Sequence, residues 1–126
     1  MTKAVDAEDA GPWLVACLCA AWCRTCDEYR VTFTALAKAR PQMRFAWIDI
    51  EEHSDALGPI ALDLDDFPTL LIARGDDLRF YGPLLPHADT LARTLDAARD
   101  AALTPAVEGL DRARIGSLHA IGDAVS

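Results

Sequence analysis

The chain reads as an α/β fold built on a four-stranded mixed sheet in the order βαβαββα, flanked by helices and followed by a short C-terminal extension. Three observations predict it. The apolar run from Trp13 to Ala20 is unbroken, as a central strand covered on both faces should be. It leads straight into an amphipathic stretch with Cys26, Tyr29, Phe33, Leu36 and Ala37 on one helical face. Further on, two apolar runs flank Arg74-Gly75-Asp76-Asp77, a hairpin signal through glycine and aspartate.

Residues 1–12 are polar and are expected to form a loose N-terminal segment ahead of a domain over 13–103. After the first strand, a helix runs from Cys26 to about Arg40, where Pro41 ends it. Arg44 to Ile50 reads as a second strand, made parallel to the first by the helical crossover. Ser54 to about Leu64 is expected as one short helix, with Pro59 tolerable in its first turn. Leu70 to Ala73 and Leu78 to Tyr81 are the hairpin strands. His87 to about Leu103 is the last helix of the domain, apolar at Ala88, Leu91, Leu95, Ala98 and Ala102. In the extension, 104–126, Val107, Leu110, Leu118, Ile121 and Val125 recur at roughly helical spacing, while Gly109, Gly116 and Gly122 weaken a helix. The expected form is either a helix appended over part of the core or a frayed tail; a docking segment for a partner or second subunit is the alternative.

Chemistry concentrates at Trp22-Cys23-Arg24-Thr25-Cys26, where the first strand hands over to the helix. Two thiols at this spacing can close a small disulfide ring and reopen it. Cys23 lies at the N-cap region, where unpaired backbone N–H groups and the positive end of the helix dipole favour a thiolate. In that setting a Cys-x-x-Cys reads as a redox pair before it reads as a structural bridge. Cys23 is expected to attack a substrate disulfide, and Cys26, one turn further in, to resolve the mixed disulfide. Arg24 sets a cation beside the thiolate and favours the dithiol form, while Asp27, Glu28, Asp65 and Asp66 push the other way, so the direction of exchange stays open.

Phe67-Pro68-Thr69, directly before Leu70-Leu71-Ile72-Ala73, is the second motif. With both motifs present the chain resembles the thioredoxin family, over roughly residues 13 to 100. Trp47-Ile48-Asp49 looks like the end of that family's second core strand, Leu62-Asp63-Leu64 falls where it carries Tyr-Gly-Val, and Tyr81-Gly82 resembles its hairpin-closing glycine. The resemblance implies a thioredoxin-like fold and a cis bond between Phe67 and Pro68, with the proline against the dithiol. It also implies a substrate-binding set of Trp22, Phe67, Pro68 and Thr69. Trp22 would shield one side of the site, and the backbone of Phe67 would pair with an extended substrate chain. No cofactor is implied. Protein disulfides or dithiols are the implied substrates, with a reductase or other redox partner to complete the cycle.

The chain also departs from the family pattern. Arg24-Thr25 stands where the family commonly has Gly-Pro, which should make the helix start more adjustable. The position where thioredoxins bury an aspartate that helps deprotonate the second thiol is Cys17, and the lysine partner to that aspartate is missing from Phe45-Ala46-Trp47. A neutral thiol is a poor proton acceptor, so the second step would be slow or would rely on water or a carboxylate such as Glu28. Cys17 and Cys19 share one face of the first strand, about 6.6 Å apart by strand rise, a poor geometry for bonding to each other. They read as small core residues.

Composition fits one small globular domain: 126 residues, 52% hydrophobic and 25% charged, enough for a single core and too few for two. The net charge of −8 argues against a nucleic-acid partner, whose phosphates call for Lys and Arg. The first apolar run is too short to span a bilayer, and the acidic, turn-forming residues ahead of it lack the basic start of a signal peptide, so no membrane and a cytoplasmic location are expected. There the four cysteines would be kept mostly as thiols.

A thiol–disulfide oxidoreductase is thus the leading reading. A thioredoxin-fold binding module with a redox pair of little catalytic role is the alternative, favoured by the missing aspartate and lysine. A thiolate metal site from Cys17, Cys19, Cys23 and Cys26 would offer four ligands. A rigid buried strand cannot easily wrap two of them round an ion shared with a helix start, so no metal is expected.

Overall fold

The chain's structure is a computed structural model that describes residues 12–20, 22–63, 68–84, 87–105 and 107–125. Its elements are β1 (Trp13–Cys19), α1 (Arg24–Ala39), β2 (Met43–Asp49), α2 (Ser54–Leu57), α3 (Ile60–Asp63), β3 (Thr69–Arg74), β4 (Asp77–Pro83), α4 (Ala88–Asp100), α5 (Arg112–Leu118) and β5 (Asp123–Val125).

The unbroken apolar character of β1 has a direct cause. Successive strand side chains point to opposite faces, and both faces are covered. Val15, Cys17 and Cys19 pack with Tyr29, Phe33 and Ala37 of α1 and with Leu91 and Leu95 of α4. Leu14, Ala16 and Leu18 pack on the other side with Leu57, Ile60, Ile115 and Leu118. Each large apolar side chain buried this way contributes about 1.5–3 kcal/mol relative to leaving it in water.

β1 pairs in parallel with β2, Cys17 opposite Trp47 and Cys19 opposite Asp49. It pairs antiparallel with β3, Leu18 opposite Thr69, and β3 pairs antiparallel with β4. These four strands are the expected mixed sheet. The extension adds a fifth, so the full order is β4-β3-β1-β2-β5, with β5 antiparallel to β2.

The extension is a helix over the core, as its apolar spacing suggested, followed by that unexpected strand. Leu110, Ile115 and Leu118 are buried. The helix is confined to Arg112–Leu118 because Asp111 caps it, accepting from the Arg114 N–H at 2.8 Å, and because glycines at positive φ flank it. Gly122 is required at the turn into β5: its φ is +78°, and a Cβ there would meet Ile48 Cγ1 at 2.8 Å and the Trp47 carbonyl at 3.0 Å. Arg44 donates to the Ile121 carbonyl at 3.1 Å and Arg114 to the Ala56 carbonyl at 2.8 Å, tying the segment to β2 and α2.

One expected helix is two. The stretch from Ser54 breaks into α2 and α3 because Gly58 ends α2 at φ +66° and Pro59 then brings no N–H to continue its ladder. Pro59 therefore belongs to the start of α3, not to the first turn of a longer helix; Leu64 lies outside the described residues. The other expected strands and helices stand, with ends moved by a few residues. Among the described residues no helix is long and apolar enough to cross a membrane.

Candidate active site

β1 delivers the chain to the site at the end of the sheet, and α1 starts there. The helix begins at Arg24, two residues earlier than its apolar face indicates, so the two cysteines bracket its first turn. Cys23 is the N-cap, in extended conformation (φ −87°, ψ 111°), and its Sγ accepts from the Cys26 backbone N–H at 3.4 Å. The sulfur thus satisfies one of the helix's orphan donors, the task a capping oxygen usually performs. The Cys23 N–H in turn donates to the Ala20 carbonyl at 3.0 Å, which closes the turn between β1 and α1.

Burial separates the two thiols. Cys23 is half-buried, whereas Cys26 is only 1% exposed and belongs to the core cluster on the α1 side. Trp22 is 70% exposed beside them, and Arg24 and Thr25 face solvent. Pro68 and Thr69 are buried; Thr69 is the partner of Leu18, and Pro68 directly precedes it, beside the end of β1. Phe67, and with it the expected cis bond, lies outside the described residues, as do Asp65 and Asp66.

The electrostatics differ from expectation. The Cys23 thiol is held above its ordinary value, first by burial and then by the Cys26 thiol, while the Cys26 backbone N–H pulls the other way. The N-terminal donor acts as anticipated but is outweighed. The leading influences on Cys23 are these, and exposed Arg24 is not among them. Cys26 is pushed up strongly, by its interaction with the Cys19 thiol first and by burial second.

Cys17 and Cys19 form the inner part of the site. Their Cα atoms are separated by strand rise, yet the side chains lean together and bring the two sulfurs to 3.3 Å. That is a thiol–thiol contact and not a bond; all four cysteines are free. The Cys17 contact, followed by burial, holds the Cys19 thiol well up. Sulfur contact therefore runs from Cys17 in the core to Cys19, which lines the same cleft as Cys26. Tyr29 packs in the same cluster, its hydroxyl buried and unpartnered among the described residues and its ionisation opposed by burial and by Cys17 and Cys19. Leaving such a group unpaired costs about 1–3 kcal/mol.

A cleft of about 260 Å³ opens onto Cys19 and Cys26 between α1 and the end of β2. Asp27, Asp49 and Glu52 line it, and Arg30 stacks over Trp47 at 5.0 Å on its wall. Asp49 is fixed by accepting the N–H groups of Glu51 and Glu52 at 2.8 and 3.1 Å, and Ile50 N–H donates to the Cys19 carbonyl at 2.9 Å. The carboxylates that share this cleft with the second thiol are thus Asp27, Asp49 and Glu52; Glu28 is exposed and is not part of its lining. Among the described residues no three His, Cys, Asp or Glu side chains converge as metal ligands would.

Of the residues singled out in the sequence, the structure sets Cys23 and Cys26 about the first turn of α1 and Pro68 and Thr69 near the end of β1, and it places Cys19, read as packing, on the same cleft as Cys26. The signal for Cys19 was its strand parity: residues 15, 17 and 19 share the face that α1 covers, and α1 carries Cys26 on its buried side. Asp49 and Glu52 had no sequence signal, since only the crossover brings the end of β2 beside α1.

The fold is that of the thioredoxins. It is similar to a thioredoxin h from poplar (22% identity over 79% of this chain and 87% of that one, TM-score 0.61) and to thioredoxin from Fasciola hepatica (23% identity, 77% and 90%, TM-score 0.58). It is also similar to a chain from a structure addressing the thiol resolving mechanism of yeast mitochondrial 1-Cys peroxiredoxin via glutathione/thioredoxin systems (20% identity, 77% and 89%, TM-score 0.59). No protein-family model matches the sequence, and no curated protein matches it.

Proposed function

From the thioredoxin fold and the dithiol at the start of its first described helix, we propose that this protein is a thiol–disulfide oxidoreductase acting on protein disulfides through Cys23 and Cys26. The observation that carries the reading is the capping geometry: a half-buried thiol accepts the Cys26 N–H at 3.4 Å, and a second thiol lies buried one turn behind it. Cys23 attacks a substrate sulfur as thiolate, forming a mixed disulfide and releasing the substrate's other sulfur. Cys26 then attacks the Cys23 sulfur, the substrate leaves as a thiol, and Cys23–Cys26 becomes the disulfide. The steps reverse when the substrate is a dithiol. Trp22 and the Phe67-Pro68-Thr69 segment form the substrate-docking face in this reading, with an extended chain pairing to the Phe67 backbone. A redox partner that restores the starting form is required, and peroxidases resolved by thiols are one class of substrate. Four free thiols suit a reducing compartment, and the cytoplasm is the location this reading assigns.

A binding module with a redox pair of little catalytic role is supported by one observation: Cys26 is held strongly protonated with Cys17 where an acid would be expected. Incubation of a Cys26→Ser variant with a disulfide-bonded protein such as insulin separates the readings. The oxidoreductase accumulates a mixed disulfide on Cys23, and Cys23→Ser accumulates none. Absence of the adduct in Cys26→Ser, together with no insulin reduction by the unmodified protein, refutes the enzyme.

A further inference from the structure

Cys19 lies behind the dithiol, on the same face of β1 as Cys17 and in the same buried cluster as Cys26. Three features distinguish it from a packing residue. Its sulfur already contacts another, Cys17 Sγ at 3.3 Å. It lines, together with Cys26, the cleft between α1 and the end of β2, so the two cysteines border one opening although each side chain is itself buried. It shares its cluster with Tyr29, whose hydroxyl is buried without a partner among the described residues, so the surroundings are not purely apolar. An inert core thiol has none of these, since apolar surroundings leave it walled in and unreactive.

We propose that Cys19 is a third redox thiol, which takes the disulfide from Cys23–Cys26 and holds it as Cys19–Cys26 at the floor of the cleft. The proposal rests on the oxidoreductase reading, which supplies the starting disulfide. Cys19 gives its proton to solvent in the cleft, and its sulfur attacks Cys26 Sγ. The Cys19–Cys26 bond forms as the Cys23–Cys26 bond breaks. The electron pair leaves on the Cys23 sulfur, which takes up a proton. One disulfide and one thiol are present before and after, so no outside oxidant enters the step. Its consequence is a change of function at the surface: Cys23 is again a free nucleophile, but its resolving partner is occupied. A substrate disulfide attacked in that state stays attached as a mixed disulfide; an external dithiol that attacks the Cys19–Cys26 bond leaves as its own disulfide, frees both thiols and returns the protein to turnover.

The test oxidises the full chain with a single equivalent of diamide, quenches with acid, alkylates the remaining thiols and maps the cross-links by mass spectrometry, with insulin reduction measured in parallel. A Cys19–Cys26 population within about tenfold of Cys23–Cys26 is expected, which places the two disulfides within about 30 mV of each other. The Cys19→Ser variant should hold its disulfide as Cys23–Cys26 alone, and Cys23→Ser should still form Cys19–Cys26 under the same oxidant. Insulin reduction with Cys23–Cys26 as the only disulfide in the unmodified protein overturns the third thiol and leaves the oxidoreductase standing. Failure of both insulin reduction and Cys23–Cys26 formation overturns the oxidoreductase itself, and the exchange with it. The mapping on unmodified protein decides the matter even if a variant does not fold.

Discussion

Replacing Cys17 with aspartate tests how the inner site handles a proton. Cys17 is fully buried, its sulfur contacts the Cys19 sulfur at 3.3 Å, and it packs in the core cluster with Val15, Phe33, Phe45 and Leu70. A carboxylate there cannot be solvated or paired, so its pKa must rise from an unfolded value of about 3.9, and burial of this kind raises a carboxyl by about 3 units or more. The sign follows from linkage. Between the unfolded and folded pKa values the native state holds a proton that the unfolded state has released, so stability is greatest below about pH 4 and falls as pH rises. The slope is about 1.4 kcal/mol per pH unit, and a three-unit shift amounts to about 4 kcal/mol by pH 7, a large share of a total of about 5–15 kcal/mol. Urea denaturation of Cys17→Asp and unmodified protein side by side, from about pH 4 to about pH 7, reads the difference directly. Where the variant still folds, the introduced carboxylate can take the Cys26 proton through Cys19, and stopped-flow resolution of the mixed disulfide near neutral pH should be faster by about tenfold or more. A stability difference that is flat with pH would refute the claim that this position is dry and uncompensated. A folded variant with unchanged resolution would refute proton removal from Cys26 as the limiting step.

Because Cys26 is held protonated above the usual thiol range, release of thionitrobenzoate from a Cys23 adduct should climb about tenfold per pH unit with no plateau up to about pH 9, and a plateau near neutrality would show a resolving thiol that ionises easily. Arg24→Ala should move the Cys23 thiolate titration by less than about half a unit, the scale of an exposed charge pair; a shift beyond one unit would restore Arg24 as the tuning residue. Leu118→Ala, a fully buried position in the extension, should lower unfolding free energy by about 2–5 kcal/mol in urea denaturation, and a loss under about 1 kcal/mol would mean that α5 is not part of the core.

The elements that the sequence determined are those whose signal is local. The unbroken run of β1, the apolar face of α1, the glycine-aspartate hairpin and the Cys-x-x-Cys at a helix start each depend on neighbours within a turn or two, and each stands where it was read. The break at Gly58-Pro59 was written in the same local terms and was missed by giving proline the tolerance of a first turn when a glycine preceded it. Tertiary structure decided the rest. β5 exists because β2 leaves an open edge that the chain returns to cover, and nothing within Asp123–Val125 announces that edge. The Cys23 thiol is pushed up by desolvation and then by the Cys26 thiol, both of which follow from how α1 seats against β1 and not from the residues adjacent in sequence. The meeting of Cys19 with Cys26 on one cleft and the carboxylates that line it arise only when strand, helix and crossover come together. Sequence spacing sets where a backbone carries a thiol, while packing sets which sulfur that thiol faces.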